Sequence, residues 1–148
     1  MTSAVVRQRE LLPGEWDEVD PEPQAPRKRA TAEELFAIQC RGYRLPPFEQ
    51  QQQFAKIPFG RKWRFDFSFP AYKLAVEIEG LAVKRLAGQL VVLGRHASIQ
   101  GFKDDCEKYA HAVVLGWGVM RFEQSMVRSK FAIEMLMRAL VARGWQRP

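Results

Sequence analysis

The stretch Arg61-Lys62-Trp63-Arg64-Phe65-Asp66-Phe67-Ser68-Phe69-Pro70, continued by Lys73-Leu74-Ala75-Val76-Glu77-Ile78-Glu79-Gly80, decides how the rest of the chain is understood. Trp63, Phe65, Phe67 and Phe69 alternate with Lys62, Arg64, Asp66 and Ser68, and Leu74, Val76 and Ile78 alternate with Lys73, Ala75, Glu77 and Glu79. A period of two belongs to strands, so two are expected. Joined as an antiparallel hairpin, they match apolar to apolar when Phe69 faces Leu74, Phe67 faces Val76 and Phe65 faces Ile78. That register sets Asp66 opposite Glu77, with Glu79 one step along. Three carboxylates are then expected on one side of a sheet whose other side is core, and a slip of one residue would bury them all.

Like charges a few ångströms apart repel, and at least one carboxyl pKa rises unless a cation sits between them. Oxygen-only donors on a rigid scaffold suit a hard divalent cation, Mg²⁺ or Mn²⁺. Arg61, Lys62, Arg64 and Lys73 beside them suit a phosphate. The competing reading is a solvated strand face whose acids pair with those neighbours, the usual fate of charge clusters.

A chain of 148 residues has room for one core and a tail. The net charge of +6 is unevenly spread: residues 1–26 hold two basic and six acidic side chains, leaving 21 basic and 11 acidic ones over 27–148, a net of +10. A basic domain fits a polyanion, nucleic acid first. No apolar run is long enough to span a bilayer, and residues 1–12 lack the order of a secretory signal, so neither membrane nor export is expected. Cys40 and Cys106 have no metal-ligand spacing, and His96 and His111 supply no partner motif. Both cysteines are expected as buried thiols in a reducing, cytoplasmic compartment.

Residues 1–29, with Pro13, Pro21, Pro23 and Pro26 among acids, form a flexible acidic tail, and 30–148 the domain. Thr31 and Glu34 make a capping box opening a helix that runs to about Gly42. Glu34 therefore has a backbone role that weighs equally with any functional one. A first strand is expected at 54–57. The long connection 81–100 holds 90–93, either a short strand or the apolar underside of a flap. Phe102, Cys106, Tyr109, Ala110 and Val113 recur as the buried stripe of a helix over 101–115, whose wet face would carry Lys103, Asp104, Glu107, Lys108 and His111 in plain i,i+4 pairs. A strand at 117–122 and one long helix at 125–143 follow, the methionines of the latter serving as core filler or as a homodimer face. The fold class expected is α/β, a mixed sheet with an antiparallel meander flanked by helices.

This order resembles the PD-(D/E)xK nuclease superfamily, with its restriction-endonuclease-like core. Asp66 matches the acid of the second strand and Glu77 that of the third, while Glu79 stands where Lys is usual and Phe65 where Pro is usual. Some restriction endonucleases of the superfamily carry Glu-x-Glu there. The strings around Asp66 and Glu77, with Gly94-Arg95-His96, Gly101, Asp105-x-x-Lys108 and Gly116-Trp117-x-Val119-x-Arg121-Phe122, look like small bacterial and phage endodeoxyribonucleases akin to very-short-patch-repair and Holliday-junction-resolving enzymes.

The resemblance implies a DNA phosphodiester hydrolase of a bacterial or phage-infected cell. Asp66, Glu77 and the carbonyl of Ile78 would hold Mg²⁺ or Mn²⁺, and Glu79 would orient or deprotonate the attacking water. Lys108 would supply the charge of the missing lysine, with Lys84 and Lys103 as rivals. Glu34 would be the acid of the first helix. Arg61, Lys62, Arg64, Lys84, Arg95, His96, Lys103 and Arg121 are the expected DNA contacts. Two other readings stand beside it: a junction resolvase dimerising through the C-terminal helix, and an inactive DNA-binding or regulatory protein on the same fold.

Overall fold

Thr31 and Glu34 cap the first helix reciprocally: the Thr31 N–H donates to the Glu34 carboxylate at 2.8 Å and the Glu34 N–H to the Thr31 hydroxyl at 3.1 Å. The helix they open, α1 (Ala32–Gly42), buries Phe36, Ala37 and Cys40. The protein is described by a computed structural model covering residues 28–80, 82–93 and 98–148. The expected acidic tail up to residue 27, together with Arg95 and His96, lies outside the described residues.

The first strand, β1 (Glu49–Gln52), precedes the expected one, and Lys56–Phe59 is instead a helical turn, α2. Pro58 has no N–H to give a ladder, which disfavours a strand there. The central hairpin has the expected register near its turn, where β2 (Phe65–Phe69) and β3 (Leu74–Glu79) pair Phe67 with Val76, Ser68 with Ala75 and Phe69 with Leu74, but the ladder does not reach the expected pairs Phe65–Ile78 and Asp66–Glu77. Within 81–100, β4 (Ala82–Leu86) and β5 (Gln89–Leu93) form a separate two-stranded hairpin, on whose first strand Lys84 falls. Helix α3 (Ile99–Val114) then leads to β6 (Gly118–Glu123), which lies parallel to β3. The four-stranded sheet, in order β1-β2-β3-β6, is therefore mixed, as expected. The long C-terminal helix is broken: α4 (Gln124–Arg128) and α5 (Phe131–Ala142) meet at Lys130, whose φ of 68° no helix continues through.

Each face of the sheet carries a core. On one, Phe67, Phe69, Leu74, Val76, Ile78 and Phe122 pack with residues of α1, α4 and α5, including Phe36, Val127, Ile133, Leu136 and Leu140. Met135 and Met137 pack against this core, which gives them the filler role. On the other face sit Phe54, Ala55, Phe65, Ala75, Ala112 and Trp117. Phe65 has thus left the row of Phe67 and Phe69, stacking on Phe54 at 3.9 Å and tilting against Trp117 at 5.1 Å. The alternation breaks at Asp66, where the candidate site begins.

Arg143, just after α5, ties the end of the chain to the turn between β2 and β3 by donating to the carbonyls of Tyr72 and Lys73 at 2.8 and 2.9 Å. The guanidinium crosses over Gly118, where an added Cβ would oblige the end of the flexible Arg143 side chain to shift.

Helix α3 is turned the opposite way from expectation. It buries Gly101, Asp105 and Ala112 and half-buries Lys108, Tyr109 and His111, while Ile99, Phe102, Val113 and Val114 are 66–79% exposed and Cys106 is exposed. The inward side of α3 brings Lys108 to the buried Glu77 of β3 and Asp105 toward Arg121 of β6, and its apolar side is what remains outside. A buried acid left without its partner is costly. No described helix is long and apolar enough to cross a membrane.

Candidate active site

The ladder between β2 and β3 ends at Phe67 and Val76, and beyond it a polar cleft of about 640 Å³ opens under α3. Asp66, Glu77, Ile78 and Glu79 line its floor, Lys108 and Tyr109 one wall, and Arg61, Lys62 and Arg64 its rim.

Asp66 takes the place of a strand partner. Its Oδ2 accepts the Ile78 N–H at 2.8 Å, and its Oδ1 accepts the side-chain amide of Gln51 at 3.1 Å. Gln51 reaches it from β1 in a left-handed backbone, φ 56°, uncommon for a residue with a Cβ and found where a side chain must be re-aimed.

Glu77 is 8% exposed and pairs with the Lys108 ammonium, the two side chains being 10% and 12% exposed. Burial pushes the Glu77 carboxyl up to about 7; the Lys108 charge and hydrogen bond oppose the rise, and the Asp66 and Glu79 carboxylates add to it. We take burial as the dominant effect, because both partners are nearly dry and their mutual attraction must first repay two desolvations.

Glu79 accepts from Arg121 Nε at 2.8 Å, and Nη2 of the same guanidinium lies 3.9 Å from Asp105. The guanidinium sits 4.8 Å from the ring centre of Tyr109, whose hydroxyl pKa is raised by burial first and then by the Glu77 charge. Arg61 pairs with Glu107 and lies 4.9 Å over the Trp63 ring.

Several expectations are corrected. The three acids share a cleft, yet among the described residues no three His, Cys, Asp or Glu side chains gather closely enough to hold a metal ion. Glu79 is drawn to Arg121, leaving Asp66 and Glu77 as the pair. Glu34 is engaged at the helix cap, and Glu33, one position round α1, lines the cleft instead. Arg121 neutralises Glu79 rather than standing at the rim. Of the rival lysines, Lys108 reaches the acids; Lys103 is exposed on α3 and does not line the cleft. Lys73 sits 4.8 Å over the Trp117 ring.

The expected helix pairs are also replaced. Lys108 leaves Asp104, which accepts from Gln100 at 2.8 Å, and His111 Nδ1 lies 2.8 Å from the Glu107 backbone carbonyl while the Glu107 carboxylate holds Arg61. Of the cysteines, Cys40 is buried and its thiol pushed up to about 12 by that burial, but Cys106 is exposed.

Glu33, Gln51, Asp105 and Tyr109 line the cleft and were not singled out as site residues. For Asp105 and Tyr109 the sequence did carry a signal: Asp105 is four from Gly101 and Tyr109 and three from Lys108, and Tyr109 is three from Ala112, so they flank Lys108 on one helix face. For Gln51 there was none, since a left-handed residue inside a strand has no pattern to betray it.

Two carboxylates and a backbone carbonyl on neighbouring strands fit a hard divalent cation. Mg²⁺ keeps several waters and commonly takes only one or two protein carboxylates beside substrate phosphate. Searches against protein-family models, curated proteins and solved structures find no match for this chain.

Proposed function

We propose that this protein is a metal-dependent endodeoxyribonuclease on a restriction-endonuclease-like core. One observation carries the reading: Asp66 and a nearly dry Glu77 with a raised pKa lie where two strands part, with Lys108 against them and three basic side chains at the rim. Perturbed acids in a cleft beside phosphate-binding charge mark a catalytic candidate.

Asp66, Glu77 and the Ile78 carbonyl would hold Mg²⁺ or Mn²⁺, which supplies Lewis-acid stabilisation of phosphate oxygens when bound. Glu77 would exchange the Lys108 ammonium for the cation. Lys108, nearly dry beside Glu77, would offer its charge to the phosphate, the part a motif lysine plays in the family that the sequence resembles. Glu79, held by Arg121, orients the attacking water. Arg61, Lys62 and Arg64 meet the phosphates on either side. The test is nicking of supercoiled plasmid in Mg²⁺ or Mn²⁺ with a chelator control, alongside linear, mismatched and four-way DNA. No cleavage of any of them would overturn the proposal.

The inactive DNA-binding reading has an observation in its favour as well: Lys108 and Arg121 already neutralise Glu77 and Glu79. Isothermal titration separates the two, because the nuclease binds Mg²⁺ or Mn²⁺ through Asp66 and Glu77 and a DNA-binding relic does not.

Each of Lys62→Ala and Arg64→Ala is expected to weaken DNA binding and to lower the slope of log affinity against log salt by about one. Slopes equal to wild type would remove those side chains from the phosphate contacts.

Gln51→Gly removes the amide that holds Asp66 and also relieves the left-handed backbone. Stability should stay within about 1 kcal/mol of wild type, while nicking falls about 10–100-fold, the usual effect of losing a side chain that orients a metal ligand. Full activity in this variant would show that Asp66 needs no such support.

A further inference from the structure

We propose that the outward face of α3 is a self-association surface, on which two copies of this chain pack α3 against α3, antiparallel, about a two-fold axis at Cys106. Ile99, Phe102, Cys106, Ala110 and Val113 fall within about 40° of one line along the helix at 100° per residue. Ile99, Phe102 and Val113 are 79%, 66% and 70% exposed, and Cys106 and Ala110 are exposed as well.

The row is symmetric about its middle. Ile99 and Val113 stand seven residues from Cys106 on either side, and Phe102 and Ala110 stand four. An antiparallel copy therefore sets Ile99 against Val113, the large Phe102 against the small Ala110, and Cys106 against itself, the self-complementarity an isologous interface requires. Lys103 and Glu107 lie together on one flank, and a two-fold axis brings that flank to its own copy, so Lys103 of each chain faces Glu107 of the other and shares that carboxylate with Arg61. Charge and volume thus both favour a second copy of this chain over another occupant.

The size of the surface sets the strength. A helix of 16 residues spans about 24 Å, and one helix pair falls at or below the low end of stable interfaces, about 1,200 Å² in total. The association is accordingly weak, in the micromolar range. Lys108 projects from the opposite side of α3 and Asp105 from about a quarter turn away, so the cleft stays open in the dimer. The proposal does not depend on the nuclease reading.

Sedimentation velocity on the full chain from 1 to 200 µM is expected to show a monomer–dimer equilibrium. A short bis-maleimide should link two chains through Cys106, because Cys40, the other cysteine, is buried. Cys106→Ser should abolish the link and leave the equilibrium in place. Phe102→Lys, a change at a solvent-exposed position, should keep the thermal melt of the monomer and remove the dimer. A monomer at every concentration overturns the proposal, as does a dimer untouched by Phe102→Lys. A monomer whose Cys106 resists alkylation overturns it too.

Discussion

Replacing Asp66 or Glu77 by alanine is expected to lower plasmid nicking by about 10³-fold, the scale on which a group acting directly on transition-state charge is felt. Asp66→Asn is the sharper variant, because the amide oxygen can still accept from Ile78 N–H and the fold should survive while the charge is lost. Equal cleavage by wild type, Asp66→Asn and Glu77→Ala would remove the proposed site. The pH dependence carries the same information. With its pKa raised to about 7, Glu77 holds a proton below neutrality when no cation is bound. A cation must displace that proton, so Mg²⁺ affinity should fall about tenfold for each pH unit below 7 and level off above it. Titration calorimetry in buffers of different ionisation enthalpy reads the released proton directly. In Glu77→Gln the remaining affinity should lose this dependence.

Lys108→Met is expected to cost about 3 kcal/mol of stability well above pH 7, where wild-type Glu77 is ionised, and much less near neutrality, where Glu77 without its cation takes up a proton instead. Activity should fall about 10²-fold or more, as the charge offered to the phosphate goes with it. The two effects are separable. The double variant Lys108→Met/Glu77→Gln buries no uncompensated charge and should recover most of the lost stability, with no recovery of nicking. Denaturant unfolding and the nicking assay on the four proteins of this cycle give the coupling. A single Lys108→Met variant that unfolds like wild type well above pH 7 would mean that Glu77 finds its stabilisation elsewhere.

The central hairpin was legible because its two strands alternate without interruption from Phe67 to Phe69 and from Leu74 to Ile78, and only one register sets those side chains opposite one another on the same face. The capping box at Thr31 and Glu34 was equally legible, since both halves of it are local. The assignment of Glu34 to the site failed for the same reason: the cap consumes the carboxylate, and a rotation of one residue delivers Glu33 in its place. The break at Lys130 and the left-handed Gln51 were invisible, since neither leaves a mark in hydrophobic period.

Helix α3 marks the boundary most clearly. Local periodicity assigned its apolar stripe to the core, and by transfer free energy alone that would be right. What period cannot report is which charges lie on the sheet that the helix covers. By itself the sequence determined the alternation of β2 and β3, their pairing, and a basic domain with acids on its central strands. Only the tertiary structure decided that Lys108 would answer Glu77 and Arg121 would answer Glu79, because a buried acid must find its cation and these partners come from elements distant in the chain.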